Sequence, residues 1–470
     1  MEMMSFEVAP DLPQQGGGFN DDDGRRRRTG TVWMASARII TAVIGQGVLP
    51  LVWAMAQLGW LMGPAALLLL AVIIICASAL LANCYRTGDS IIGERNLTYV
   101  DAIQNILGGA NVKLCELVYS LNLFGVVIGF TIAASISMTA INKSNCFHDK
   151  GDKSHCQSIS YPYTIAFGVT EIVLSQIRNF DKRLGISIMA TIMSLTYSTI
   201  GLALGIAKVA ENGELKGSLT GISLGTVTQT QKIWRSFQAL GNIVFAYSFA
   251  ILFIEIQDTI KSPPPEAKTM RKATLISVAV LALFYMLCGS MGYGAFGDMA
   301  PGHLLAGFGF FSPYWLIDLS NAAITIHLVI AYQVHAQPLF AFMEKQFITS
   351  EIEIEIPIPI PGFRSSYTLC VFQLIWRTIF VIATTVISML LPFFNEVIGL
   401  VGALGFWPLT VYFPVEMYIA QMKIHKWSTK WIGLQILSIA CLIISVAATM
   451  GSIAGIVLRL QSYKPFGTSY

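Results

Sequence analysis

Charge is what this sequence has least of. Only 12% of its 470 residues are Asp, Glu, Lys or Arg, against 54% that are hydrophobic. The apolar residues come in long blocks instead of the alternating patches of a water-soluble core. The net charge of +3 is not gathered into a basic stripe with interleaved aromatics, so nothing points to nucleic acid as a partner. No metal-ligand cluster or nucleophile–base pair stands on a stretch open to water, and neither an enzyme nor a bound metal is expected. No short apolar region with a small-residue cleavage site precedes the first block, so no signal peptide is expected and that block should itself direct insertion. The triplet Gly16-Gly17-Gly18 has no strand before it and no Lys-Ser/Thr after it, which argues against a phosphate loop.

What is present reads as an all-α polytopic membrane protein. A span needs roughly 20 apolar residues to cross about 30 Å of hydrocarbon. By that ruler there are eleven, at approximately 32–58, 60–83, 113–141, 161–177, 184–208, 233–260, 272–295, 313–342, 366–391, 393–421 and 431–458. Residues 1–30, with the acidic run Asp21 to Asp23 and the basic run Arg25 to Arg28, read as a disordered tail, and 31–462 as the transmembrane domain.

Orientation follows from where Lys and Arg fall between spans. With the N-terminus cytoplasmic, alternation puts Arg86, Arg95, Lys113, Arg178, Lys182, Arg183, Lys261, Lys268, Arg271 and Lys272 on that side. Lys345, Arg364, Lys423, Lys426 and Lys430 join them. Lys143, Lys150, Lys153, Lys208, Lys216, Lys232, Arg459 and Lys464 fall opposite, a bias of about nineteen to eight counting the tail arginines. Eleven spans then leave the C-terminus extracellular.

Of the eight cysteines, Cys76, Cys84, Cys115, Cys288, Cys370 and Cys441 lie in or beside spans and read as small packing residues. Cys146 and Cys156 share an outer loop, where the compartment is oxidising, and can close a disulfide. His148 and His155 lie between them, which keeps a zinc site open as the alternative. Asn142-Lys143-Ser144 in the same loop is a glycosylation sequon. Asn96-Leu97-Thr98 is another, which should stay bare on the cytoplasmic side.

The run Ile44-Gly45-Gln46-Gly47-Val48-Leu49-Pro50 interrupts the middle of the first span. Two glycines that leave helical φ/ψ readily, then a proline without an N–H, predict a break with unpaired backbone groups. In hydrocarbon such a break survives only where it is buried in protein or lines a cavity. Discontinuous helices at midplane are how secondary transporters build their substrate sites. The sixth span runs the other way and carries Gly241-Asn242-Ile243-Val244-Phe245-Ala246-Tyr247-Ser248 at similar depth. The pair fits an inverted repeat of spans 1–5 (about 32–208) onto 6–10 (about 233–421), with 431–458 as an extra span. For span 6 close packing of Gly and Ser is the competing reading.

The loop from Glu351 to Pro361 alternates with period two and should be extended. It reads either as a solvated connector or as a cap on the inward vestibule. Ser262-Pro263-Pro264-Pro265-Glu266 is a stiff turn between spans 6 and 7. Ionisable residues inside spans mark pathways, ion pairs or proton relays. Arg38 and Glu255 lie at similar depth near the cytoplasmic ends of spans 1 and 6 and can pair as an inward gate, unless Arg38 only snorkels. Asp258 is closer to water and reads as a solvated helix end. His327, near the middle of span 8 with Asn321 and Thr325, suits a proton-coupled step or a neutral packing role. His335 is a weaker candidate of the same kind, and Glu171, Arg377 and Glu416 are further charge partners with no deducible pairing.

Several stretches resemble the plant amino acid permeases of the amino acid/auxin permease family. They are Gly30 to Trp33, Ile40 to Gly45, Gln57 to Trp60 with Gly63-Pro64, Tyr99 to Ile103, Phe237 to Gly241, Glu255 to Thr259, Ala331 to Val334 and Gly402 to Pro408. The resemblance covers essentially everything after residue 30. It implies an eleven-span, five-plus-five inverted-repeat transporter importing amino acids with protons across the plasma membrane, the proton being the coupling ion and no cofactor being needed. It also implies that a substrate carboxylate meets freed amides of Gly45, Gln46, Gly47 and Val48, while Phe245, Ala246 and Tyr247 supply carbonyls or line the pocket, as a half-helix N-terminus favours. The chain departs from the family's usual Gly-Ser-Gly-Val-Leu-Ser at Gln46 and Pro50, and from its frequent Asp at Asn242, so substrate range can differ. A transport-dead amino acid sensor, or a carrier of auxin or another amine, are the alternative readings. Oligomeric state is not legible.

Overall fold

The computed structural model describes residues 28–88, 93–150, 156, 159–177, 184–223, 225–308, 313–347, 355–359 and 366–463. The expected tail with Gly16-Gly17-Gly18 and Asp21 to Asp23 lies outside these, as do His155, Arg178, Lys182, Arg183, Arg364 and most of the loop from Glu351 to Pro361. Fourteen α-helices are present among the described residues: α1 Val32–Val48, α2 Leu51–Leu81, α3 Tyr99–Ile106, α4 Gly109–Lys150, α5 Tyr161–Ser175, α6 Leu184–Asn212 and α7 Gln229–Ala246. They continue with α8 Ala250–Asp258, α9 Glu266–Phe296, α10 Tyr314–Phe347, α11 Val371–Leu390, α12 Phe394–Gly405, α13 Phe413–Gln421 and α14 Thr429–Ser462. A π-helical stretch, Phe406–Tyr412, joins α12 to α13.

Nine stretches among the described residues are long and apolar enough to cross a membrane. The two expected spans that fall short are α1, with 17 residues, and α5, with 15. For α1 the reason is local. Gly59, inside α2, has φ 78° and ψ −178°, so α2 is two helical pieces set at an angle. The kink at Gly59 falls at the expected boundary between 32–58 and 60–83. Only glycine fits there: an added Cβ would stand 2.1 Å from the Gly221 nitrogen and 2.6 Å from the Leu219 oxygen. The same loop receives N–H groups from Trp60 and Leu61 at 3.1 and 3.2 Å and gives one from Ile222 to the Ala56 carbonyl at 3.0 Å.

Helix starts carry local signals. Thr31 caps α1 by accepting from the Met34 N–H. Thr98 with Asp101, and Thr228 with Gln231, form capping boxes on α3 and α7, satisfying donors that the first turn leaves orphaned. Along α14 the residues Ile436, Ile439, Ile443, Val446, Met450, Ile453 and Val457 are all exposed. Spacings of three and four place them on one face. That is a lipid-facing stripe, the inverse of a soluble helix.

The chain divides into two compact units. The first comprises Met1–Asn122, Ser194–Gly307 and Asn395–Ser462. In it α1 lies along α9, where the Ser36 hydroxyl donates to the Ala273 carbonyl and the Ser277 hydroxyl to the Ser36 carbonyl, each at 3.2 Å. The flanking chain Gly30 bridges to Ile260 beyond α8, with Gly30 N–H on the Thr259 carbonyl at 2.9 Å and Lys261 N–H on the Gly30 carbonyl at 3.0 Å. Helices α7 and α14 meet backbone to backbone at Gly451. The second unit comprises Leu123–Met193, Phe308–Phe394 and Tyr463–Tyr470. In it α5 meets α4, with Ser135 and Thr164 hydroxyls 2.7 Å apart, and α10 meets α11, with Tyr332 and Thr384 hydroxyls 2.8 Å apart. The described part of the long loop is extended as expected, and it pairs: β3 Glu355–Pro359 runs antiparallel to β4 Ser366–Cys370.

Candidate functional site

The site is built where two helices stop. Helix α1 reaches Val48, turns through Leu49 and Pro50, and resumes as α2 at Leu51. The opening falls later than the sequence suggests. Gly45, Gln46, Gly47 and Val48 are all helical and buried, so the amides expected to be free stay in the α1 ladder. The physical reason is that the ladder fails only where a donor is missing. Pro50 has no N–H to offer the Gln46 carbonyl. Helix α2 restarts with the Ala54 N–H on the Pro50 carbonyl at 3.1 Å, so the N–H groups of Leu51, Val52 and Trp53 have no partner within it. The Leu49 carbonyl is taken by the Leu304 N–H at 3.1 Å.

The second break is at Tyr247 to Phe249. Helix α7 ends at Ala246, Tyr247 has φ −104° and ψ 11°, and α8 starts at Ala250 after Phe249 at φ −136° and ψ 6°. The two interruptions share a plan: 17 helical residues before the first and 18 before the second, with a short helical piece after each. Of the two readings of span 6, the interruption is the one observed.

Tyr285 of α9 ties the breaks together. Its hydroxyl stands 2.9 Å from the Val43 carbonyl in α1 and 2.9 Å from the Ala246 carbonyl at the end of α7. One phenol has one proton to donate, so two carbonyls share it. Gly47 faces the same point, since a Cβ there would lie 2.3 Å from the Tyr285 oxygen and 2.8 Å from the Ala246 oxygen. Tyr247 stacks edge-on to Tyr285 at 5.3 Å, and its own hydroxyl is buried with no hydrogen-bond partner among the described residues. Phe245 and Ala246 are buried beside it. Tyr285 escaped the sequence reading; the signal for it was a tyrosine in the apolar middle of a span, whose hydroxyl needs a partner.

One turn earlier on α7, Asn242 is fully buried and both atoms of its amide lack partners among the described residues. A Cβ on Gly399 would lie 2.8 Å from its Oδ1 and 2.8 Å from the Ser452 hydroxyl. The Asn242 site is therefore polar and uncharged.

At the opposite end of α8, charges form pairs. Glu266 receives Arg28 at 2.7 Å and Arg86 at 2.5 Å, and is 2% exposed. Asp258 is no free helix end: it accepts the Tyr85 hydroxyl at 2.6 Å and lies 3.5 Å from Arg95. Burial, with Asp258 beside it, pushes the Tyr85 phenol up, so it remains a donor. Arg38 and Glu255 are each half-buried on α1 and α8. Asn96 does structural work, since its buried amide donates to the Cys84 carbonyl at 3.0 Å and accepts from Asn105 at 2.8 Å.

In the second unit His327 is 8% exposed and its Nδ1 lies 3.0 Å from the Ala190 carbonyl. A carbonyl only accepts, so Nδ1 carries the proton. His335 is bonded in the same way to Ala331, four residues back, at 2.8 Å. Glu171 accepts from Gln333 at 2.6 Å. Arg377 pairs with Glu344 at 2.8 Å and donates to the Ser175 carbonyl at 2.6 Å. In the first unit Glu416 accepts from Gln435 at 2.9 Å. Cys146 and Cys156 are joined, with S–S 2.02 Å. That decides between the two readings of the outer loop, because both sulfurs are committed to the disulfide. Asn142 is exposed on α4, within the same helical segment as buried Ser144.

The family model described as transmembrane amino acid transporter protein matches residues 28–458. Among curated proteins, amino acid permease 3 of Arabidopsis thaliana is 64% identical over 98% of this chain and 98% of its own length. Amino acid permease 2 of the same plant is 62% identical over 100% of this chain and 96% of its own, and amino acid permease 4 is 61% identical over 98% and 100%. The solved structure of MhsT in complex with L-phenylalanine aligns over 93% of this chain and 100% of that chain at 12% identity and TM-score 0.48, a likeness too slight to carry an argument. A chain matched over nearly its whole length by both a family model and close relatives has its assignment settled: it belongs to the transmembrane amino acid transporter family, whose members are permeases and not enzymes.

Proposed function

We propose that this chain is a proton-coupled symporter that imports amino acids across the plasma membrane by alternating access, with a cytoplasmic N-terminus, eleven crossings and an extracellular C-terminus. The observation that carries it is the meeting of two interrupted helices at Tyr285, within a family of amino acid transporters. A free α-amino acid carries one carboxylate and one ammonium. The start of α2 offers unpaired N–H groups and the positive end of a helix dipole to the first. The end of α7 offers carbonyls to the second, with Ala246 and Phe245 nearest. The ammonium competes there with the Tyr285 proton, and displacing it links substrate binding to the angle between the broken helices. The unsatisfied Tyr247 hydroxyl is a further contact for a polar ligand atom.

Proton coupling rests on the family resemblance and on titratable groups within spans. His327, with Nδ1 already protonated, has Nε2 as the position for a second proton. Arg38 and Glu255 flank the inward end of the broken helices and act in gating. Protonation and substrate together favour an occluded state if each binds it more tightly than the open states.

The test is uptake of a radiolabelled amino acid panel by proteoliposomes under imposed pH and voltage gradients. Saturable uptake that strengthens with an inward proton gradient is expected. Uptake indifferent to pH and voltage removes the symport reading, and binding without flux makes the protein a sensor. Gln46→Ser, restoring the residue common in relatives at this buried position, is expected to shift apparent affinity or selectivity across the panel.

A further inference from the structure

A cavity lined by charged and apolar side chains lies in the first unit, between the first turn of α2 at Trp53, the first turns of α7, the start of α12 and the last turns of α14. It has a volume of about 250 Å³, enough for one small or medium amino acid. Its lining includes Arg235, Arg459, Glu396, Gln238, Trp53 and Trp234. Glu396 is 6% exposed, and its Oε1 lies 3.3 Å from Arg459 Nε. No described residue donates to its other oxygen. Arg235 makes no ion pair with any described residue but stands within electrostatic range of both Arg459 and Glu396. Gln238 is 1% exposed, and its amide nitrogen lacks a partner among the described residues.

Two guanidinium groups and one carboxylate around one cavity select by charge. A simple cation meets two arginines, and a simple anion meets buried Glu396, so each is disfavoured by one side of the site. A ligand carrying both charges a few ångströms apart satisfies all three groups. The Trp53 and Trp234 rings supply apolar wall for a side chain.

We propose that this cavity is a second binding site for an α-amino acid zwitterion, with Arg235 and Arg459 taking the carboxylate and Glu396 the ammonium. The proposal rests on the transport reading above, because it assigns the same substrate class to a different place. Its position gives it a role. Trp53 is in the piece of α2 that follows Pro50, and Gln238 is eight residues before Ala246, about 12 Å along α7. The helices that end at the breaks are thus the ones that wall this cavity, and a ligand held here sits on elements that must move for transport.

Equilibrium dialysis of the purified full chain in nanodiscs, with radiolabelled L-alanine and in parallel L-phenylalanine, tests it. Two equivalents per chain are expected for the wild type. Arg235→Gln and Glu396→Gln are each expected to retain one. Arg235→Lys keeps both. Ala454→Phe, which fills the same cavity without touching a charge, loses the same equivalent, and it stands in if a charge variant fails to fold. One equivalent in the wild type, or two in Arg235→Gln and Ala454→Phe, overturns the second site and leaves the transport reading intact. No saturable binding of either probe, with no uptake across the panel, removes the transport reading and this site with it. Radiolabelled phosphate, and nanodiscs with and without phosphatidylglycerol, form the remaining arm. Retention of phosphate or of the anionic lipid that depends on Arg235, with amino acid stoichiometry unchanged, assigns an anion site and overturns the proposal.

Discussion

The hydroxyl of Tyr285 lies 2.9 Å from the Ala246 carbonyl and at the same distance from Val43, so one proton on α9 serves the ends of two interrupted helices. Tyr285→Phe removes that proton and leaves two buried carbonyls with one donor fewer. A lost buried hydrogen bond of this kind costs about 1–3 kcal/mol. The variant is expected to melt lower by several degrees and to change the apparent substrate KM. Unchanged uptake kinetics at full expression would detach Tyr285 from the site.

Gly47→Ala puts a Cβ 2.3 Å from the Tyr285 oxygen and 2.8 Å from the Ala246 oxygen. Neither neighbour is a flexible chain end. Overpacking costs typically about 1–3 kcal/mol, and here it forces α1 away from α7. Uptake at least tenfold below wild type is expected, measured on protein matched for surface expression. The double variant Gly47→Ala with Tyr285→Phe should recover part of that loss, because it removes the nearer clash.

Glu266 holds both Arg28 and Arg86. Glu266→Gln leaves two guanidinium groups, 11% and 13% exposed, beside each other without their shared carboxylate. Breaking a buried pair from one side costs about 3–5 kcal/mol. The variant should express poorly or leak substrate down its gradient, read by efflux from preloaded vesicles. Arg86→Gln, which leaves the Arg28 pair intact, should be milder.

His303 is 2% exposed, and burial pushes its imidazole down to about 4. Between that value and about 6.5 the unfolded chain holds a proton that the folded protein does not. Stability therefore falls as the pH drops through this window, by up to about 3 kcal/mol. Thermal melts from pH 7 to pH 4 should show the decline, and His303→Gln should flatten it. Above pH 7 the two curves should run parallel.

The disulfide between Cys146 and Cys156 closes a loop with a sequence separation of 10. By chain entropy alone its loss costs about 2–3 kcal/mol. Cys146→Ser, Cys156→Ser and the double variant should melt lower than wild type by similar amounts. Dithiothreitol should lower the wild type to the same level and leave the variants unmoved.

Much of the architecture was legible because lipid imposes it. Blocks of apolar residues had to be spans, and the two glycines and one proline from Gly45 to Pro50 marked a fault in the first of them. The interruption was found, but its free amides were assigned to Gly45 through Val48, when the helical ladder survives until Pro50 removes a donor. Glycine permits a break without compelling one. Tyr285 was missed because a lone tyrosine in an apolar run has no periodic or motif signature; its importance comes from two carbonyls 242 and 39 residues earlier in the chain. The charged residues were recognised as costly, but their partners were not. Arg28 with Glu266 and Tyr85 with Asp258 join segments more than a hundred and seventy residues apart.

By itself the sequence determined that the chain lives in a bilayer, roughly where it crosses, that its first helix is interrupted and which family it belongs to, since each follows from composition or local order. Only the tertiary structure decided which atoms meet at the failure. A hydrogen bond needs two groups within about 3 Å, and which carbonyl Tyr285 reaches, or which arginine Glu266 holds, depends on how the helices pack, where contacts far apart in the chain act together.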